Sequence, residues 1–177
     1  ESITVGTIVN ETPTLFVLLR HFGWIFCREQ AASFEKRSHE IFPHAQLIFV
    51  GNGLPLMAQD FVEKFNIRAP VYVDPKRHFY KALGMTANKL DILNIKSILP
   101  GIKARKKGFS QSEVLGNPWQ LGGVLLMQPS GATPYLYRSQ YAGDHPKIDD
   151  VVQEIQKSKA IWFSSMEPFV LKENRYR

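Results

Sequence analysis

Thr14-Leu15-Phe16-Val17-Leu18-Leu19-Arg20-His21-Phe22-Gly23-Trp24-Ile25-Phe26-Cys27-Arg28-Glu29 is the stretch whose reading sets the architecture. It opens with an unbroken apolar run, from Leu15 to Leu19, with β-branched and aromatic members. Such a run reads as a strand buried on both faces. His21-Phe22-Gly23 interrupts it, and the period then changes. From about Ile25 to Ile41, Phe26, Ala31, Phe34 and Ser38 recur three to five residues apart. Arg28, Glu29, Glu35, Lys36 and Arg37 fill polar positions between them, and Pro43 closes the segment. A buried strand feeding straight into a helix is the first half of an α/β unit.

The same alternation continues outward. Gln46 to Val50 is a second buried strand, ended by the turn Gly51-Asn52-Gly53. Met57, Phe61, Val62 and Phe65 share one side of a helix over about 55–65. Ala69 to Val73 is a third strand, closed by Asp74-Pro75. A short helix over about 76–83 stops at Gly84, a position after a helix end that favours glycine. Residues 85–121 are less regular: a helix is predicted over 88–99, followed by the basic run Lys103, Arg105, Lys106 and Lys107. Order returns with a strand over 122–127, the turn Pro129-Ser130-Gly131 and a strand over 135–141, which together read as a hairpin. Ile148, Val151, Val152 and Ile155 mark a last helix over 148–159, with Asp149 and Asp150 in its first turn, where the helix dipole favours negative charge. Alternating units imply a central, mainly parallel sheet with helices on both faces, made mixed by the terminal hairpin. One α/β domain over 1–177 is the expectation, with 85–121 an irregular insert and 160–177 a peripheral C-terminal extension.

Composition narrows the function classes. The 177 residues are 44% hydrophobic and 21% charged, the balance of an ordinary globular domain. No apolar run approaches the roughly 18 residues of a membrane-spanning helix. The net charge of +6 is a moderate surplus that does not argue for nucleic acid, and aromatics interleaved with the basic run are limited to Phe109. One cysteine, Cys27, cannot make an intrachain disulfide, which excludes a disulfide-stapled secreted domain and a multi-cysteine zinc site. Residues 1–14 lack the basic start and apolar core of a signal peptide. The expected compartment is cytoplasm or an organelle interior, with a removed targeting peptide left open. No cofactor or metal is implied: the five histidines make no metalloprotease pattern, and there is no Gly-rich phosphate loop. Asp74 and Asp144 read as turn and cap residues.

Chemistry concentrates where the first strand hands over to its helix, because in open α/β sheets ligands meet the carboxyl ends of the strands. Cys27 falls in the first helical turn. Unpaired N–H groups and the positive end of the dipole lower a thiol pKa there, and Arg28 adds a cation. The competing reading is a buried, inert cysteine. Arg20 and His21 are the other candidates to stabilise a thiolate or a leaving oxygen.

Arg20 to Gln30 resembles the redox motif of the peroxiredoxin-like 2, or selenoprotein U-like, branch of the alkyl hydroperoxide reductase/thiol-specific antioxidant (AhpC/TSA) superfamily. In that branch a Cys-x-x-Cys or selenocysteine-x-x-Cys follows the first core strand and is trailed by Arg-Glu. Val73-Asp74-Pro75 with Phe79 to Gly84, Gly116 to Gly123, and Gly143-Asp144-His145-Pro146 resemble further segments of that branch in the same order. The resemblance implies a thioredoxin-like fold and thiol oxidoreductase ancestry. It also exposes two departures. Trp24 stands where the first motif cysteine belongs, and the peroxide-site arginine that the wider family places near Leu121-Gly122 is missing. A two-cysteine exchange cycle needs a resolving thiol, and this chain has none.

Two functions follow. In the first, Cys27 is the single redox cysteine of a peroxiredoxin-like thiol oxidoreductase, impaired or restricted to one-cysteine chemistry, and an external thiol such as glutathione or a thioredoxin reduces it. In the second, catalysis is lost and the fold binds a protein partner or larger complex through the Trp24 face, with Gly23 and Phe26 beside it.

Overall fold

The computed structural model describes residues 2–85 and 117–165, with side chains described as far as Ser158. Five strands form one mixed sheet: β1 (Thr14–Leu19), β2 (Gln46–Gly51), β3 (Val71–Val73), β4 (Gly123–Met127) and β5 (Tyr135–Arg138), in the spatial order β3-β2-β1-β4-β5. β1, β2 and β3 are parallel. β4 runs antiparallel to β1 and to β5. β1 is therefore central, and all six of its residues are buried, as its apolar run predicts.

The alternation of side chains divides the core. Leu15, Val17 and Leu19 project to one face, with Leu47, Phe49, Val124 and Leu126 from neighbouring strands. That face is covered by α2 (Ile25–Lys36) through Ala31 and Phe34, by α4 (Pro55–Phe65) through Ala58 and Phe61, and by α6 (Ile148–Ser165) through Val151, Val152 and Ile155. Phe16, Leu18, Ile48, Val50 and Leu125 project to the other face. There they meet Val9 of α1 (Val5–Val9) and Tyr80 of α5 (His78–Ala82). This is the two-faced α/β arrangement that the element order implies. A cavity of about 690 Å³ opens on this second face, lined by Val5, Ile8, Phe16, Val50, His78 and Phe79.

The structure departs from the sequence reading at several boundaries. The helix expected over 25–41 is two helices, α2 and α3 (Ser38–Ile41), broken at Arg37. Its guanidinium grips both carboxylate oxygens of Glu40, at 2.5 and 2.6 Å, and also pairs with Asp149. The break turns Ile41 fully into the core. α1 has no counterpart in the sequence reading; Thr4 caps it by accepting the Thr7 N–H at 3.1 Å. β5 stops at Arg138 because the Gln140 N–H is taken by the Asp144 carboxylate at 2.8 Å. α6 continues to Ser165, so the expected extension begins as helix. The helix predicted over 88–99 and the basic run Lys103 to Lys107 lie outside the described residues.

Other expectations hold. Gly84 takes φ +66° after α5, and the Asp74 carboxylate accepts the N–H groups of His78 and Phe79 at 3.0 and 2.8 Å. Gly122 and Gly123 are both demanded by close approach to a neighbouring strand's backbone. A Cβ on Gly122 would fall onto the carbonyl oxygen of Leu18, a backbone atom of the central strand that cannot yield cheaply. Gly122→Ala is expected to lower the unfolding free energy by about 2 kcal/mol or more, read as a shift in the urea midpoint with an unchanged slope.

Candidate thiol site

β1 ends at Leu19, and the chain crosses its carboxyl edge before α2 begins. Trp24, in an extended conformation (φ −81°, ψ 130°), takes the N-cap of α2 without a capping side chain. Its carbonyl accepts the Arg28 N–H at 3.2 Å. Cys27 is the third residue of the helix, in the first turn as its spacing predicts. Its sulfur faces back toward the strand end. Sγ accepts the Arg20 N–H at 3.2 Å, and the His21 N–H also points at it. The peptide that supplies the Arg20 N–H is held from its other side, because the Leu19 carbonyl accepts the Tyr80 hydroxyl at 2.6 Å. The same hydroxyl lies 2.9 Å from the Val50 carbonyl of β2. A carbonyl that accepts a hydrogen bond polarises its peptide and strengthens the N–H donor. Tyr80 thus orients the group that contacts the sulfur.

Two guanidinium groups flank the thiol. Arg20 lies over the Trp24 ring, 4.0 Å from its centroid, and donates to the Pro118 carbonyl. Arg28 donates through Nε to the Phe22 carbonyl at 3.3 Å and lies over Phe65. Asn52, in the turn after β2, links the loops. Its amide donates to the Arg20 carbonyl and accepts the Asn117 N–H at 2.7 Å.

The helix-mouth position predicts a thiolate, and here the structure corrects the reading. Cys27 is 1% exposed. Burial pushes its thiol pKa up, and the two N–H groups and the fields of Arg20 and Arg28 only partly oppose that. Removing a charge from water costs more than these donors return. Burial also lowers the Arg20 pKa to about 10. His21 is 0% exposed. Burial first, then Arg20 and Arg28, lower its pKa to about 4, so at neutral pH it is uncharged and adds no field at the sulfur.

The partner face expected of Trp24, Gly23 and Phe26 is largely interior. Gly23 and Phe26 are buried, and Phe26 packs against Trp24 and His145. Only Trp24 is half-buried, with its indole nitrogen inside. Beside Cys27 is a void of about 10 Å³ lined by residues that include Arg20, Trp24, Gln30, Ser139 and His145. Tyr80, Gln30, Asn52 and His145 belong to the site, and the sequence reading did not place them there. Tyr80 and Asn52 lie in a short helix and a turn whose patterns say nothing of β1. Gln30, one turn beyond Cys27 on the same helix face, was legible from helical spacing alone.

A mixed sheet of this order, with helices on both faces and a helix entered straight from the central strand, is the thioredoxin-like fold of the peroxiredoxins. Residues 33–141 match the model of the AhpC/TSA antioxidant enzyme family, and the chain belongs to that family. The match begins after Cys27, so membership rests on the scaffold and not on the thiol. The Thioredoxin-like protein AAED1, chloroplastic, of Arabidopsis thaliana is 25% identical, over 85% of this chain and 65% of its own length. Peroxiredoxin-like 2C of Mus musculus is 27% identical, over 85% of this chain and 72% of its own. This chain thus spans about two thirds of these relatives. Among solved structures, Peroxidoxin BcpB from Mycobacterium tuberculosis superposes with a TM-score of 0.63 at 10% identity, covering 86% of this chain and 84% of that one, a likeness of fold. Among the described residues no helix is long and apolar enough to cross a membrane.

Two measurements check this geometry. His21 and His145 both have pKa values lowered to about 4, chiefly by burial, against an unfolded value near 6.5. Between these values the unfolded chain binds more protons. The unfolding free energy should therefore hold above pH 6.5 and fall as pH drops toward 4, by up to about 1.4 kcal/mol per pH unit for each histidine. Urea titrations across that window test the slope, and a flat profile would contradict the buried, neutral imidazoles. Tyr80→Phe should cost about 2 kcal/mol through loss of the one buried O–H that the Leu19 and Val50 carbonyls share. It should also raise the Cys27 thiol pKa further, which a loss of packing alone would not do.

Proposed function

We propose that this chain is a thiol oxidoreductase whose only redox centre is Cys27, working by one-cysteine chemistry at a rate restrained by burial. The observation that supports it is the placement of the thiol. Sγ lies at the carboxyl edge of the central strand, contacted by the Arg20 N–H and flanked by two arginines. These groups favour negative charge on sulfur and on a departing oxygen. The Cys27 sulfur attacks one oxygen of a hydroperoxide, and the O–O bond breaks. The thiol proton goes to the departing oxygen, leaving a sulfenic acid and water or an alcohol. Sulfur loses two electrons and the peroxide gains them. One equivalent of an external thiol, glutathione or a thioredoxin, then condenses with the sulfenic acid, releasing water and forming a mixed disulfide. A second equivalent releases Cys27 as thiol. Such a cycle belongs in a reducing compartment, cytoplasmic or within an organelle. Arg20 and Arg28 act on charge at the sulfur, and His21 contributes its backbone N–H.

Peroxide consumption with glutathione, together with intact mass after peroxide, tests this reading. Cys27 should gain one oxygen, consumption should be slow, and Cys27→Ser should abolish both. No oxygen gained at Cys27 would end the enzyme reading.

The burial of the sulfur favours a second reading, in which catalysis is lost and the fold binds a protein partner. Trp24 is then the anchor, since it alone of the expected face reaches solvent. Trp24→Ala should weaken co-purification with a larger assembly, and unchanged co-purification counts against this reading.

A further inference from the structure

Arg20, just past the end of β1, is a buried cation without a counter-charge. It is 4% exposed. Its guanidinium donates to the Pro118 carbonyl and lies over the Trp24 ring, but Nε and Nη1 have no hydrogen-bond partner. Among the described residues no carboxylate pairs with it, and Cys27 is the one group whose ionisation would answer its charge. Burial holds that thiol neutral. A cation taken from water is ordinarily paired, since neutral contacts do not return the lost hydration.

The void that Arg20 lines is small and rich in donors. Its volume is about 10 Å³, close to the least that one water-sized sphere needs. Trp24 and Gln30 line it as well. Trp24 Nε1 and Gln30 Nε2 are buried without hydrogen-bond partners, and Gln30 is 5% exposed. Indole, primary amide nitrogen and guanidinium only donate. Ser139, Tyr141 and His145 complete the polar wall, and Leu18 and Leu121 belong to its apolar part. The His145 imidazole is neutral at pH 7, its pKa lowered to about 4 by burial. The Asp144 carboxylate beside it is taken up by the Tyr137 hydroxyl at 2.5 Å and the Gln140 N–H at 2.8 Å.

We infer that this void is a halide site: one chloride ion rests among the Arg20 guanidinium, the Trp24 indole N–H and the Gln30 amide, as the counter-ion of the buried arginine. A water molecule would bring two protons into a set of donors and would leave the arginine's charge unanswered. Chloride accepts from every side and cancels that charge. It is only slightly larger than water, whereas phosphate, sulfate and carboxylates each carry several heavy atoms and exceed the space. The site does not depend on the proposed redox role of Cys27, but it bears on it. Chloride and a Cys27 thiolate would draw on the same guanidinium, so each weakens the hold of the other. Bound chloride therefore keeps the sulfur as a thiol.

The test melts the full chain in sodium chloride and in sodium gluconate, mixed in varying proportion at constant ionic strength. Gluconate is too large for the void and controls for screening. Chloride should raise the melting temperature along a saturating curve, by about 5 °C or more at saturation. Arg20→Met should remove this dependence. Gln30→Leu, a milder change, should move its half-point to at least about 10-fold higher chloride, the loss of one hydrogen bond to an ion. Crystals grown in sodium bromide should show an anomalous peak within hydrogen-bond reach of Arg20 and Gln30. Equal melting curves in chloride and gluconate overturn the inference. So does a chloride dependence that both variants leave unchanged, which would put the ion elsewhere. Either result leaves the redox role of Cys27 standing, because that role is read from oxygen gained at sulfur.

Discussion

The peptide between Leu19 and Arg20 joins the sheet to the thiol. Its carbonyl accepts the Tyr80 hydroxyl from one face of the sheet, and its N–H donates to the Cys27 sulfur on the other. One rigid planar unit is thus bonded through both of its polar groups to side chains from two layers. Because the Tyr80 hydroxyl also meets the Val50 carbonyl, the ends of the two central parallel strands are tied at the same point. α2 places the sulfur and this joint supplies a donor to it, while the N-cap of α2 lacks a side-chain hydrogen bond.

Burial and polarity oppose one another around that joint. The arginines, the helix mouth and two backbone N–H groups would make a reactive thiolate in water. Enclosure reverses their effect on the pKa and leaves several donors without partners. Trp24 contributes to the enclosure. Its indole stacks on Arg20 and packs against Phe26. The Asp74 cap and the Asp144 turn hold the scaffold, while packing encloses the thiol.

The order of strands and helices was legible because each element carries its own period: unbroken apolar runs at β1 and β2, helical spacing in α4 and α6. The break at Arg37 was not legible, since the local pattern continues to Ile41 and an ion pair with Asp149, from the far end of the chain, accompanies the turn. The Cys27 position was readable from the strand-to-helix handover. Its neighbours Tyr80, Asn52 and His145 were not, because they arrive from later elements through the sheet topology.

Composition and periodicity alone therefore established an α/β chain with one thiol at a helix start, since those are properties of adjacent residues. Whether that thiol is charged, what can reach it and which donors face it were decided by packing. The desolvation of a sulfur depends on every segment that closes around it, and here those segments come from both ends of the chain.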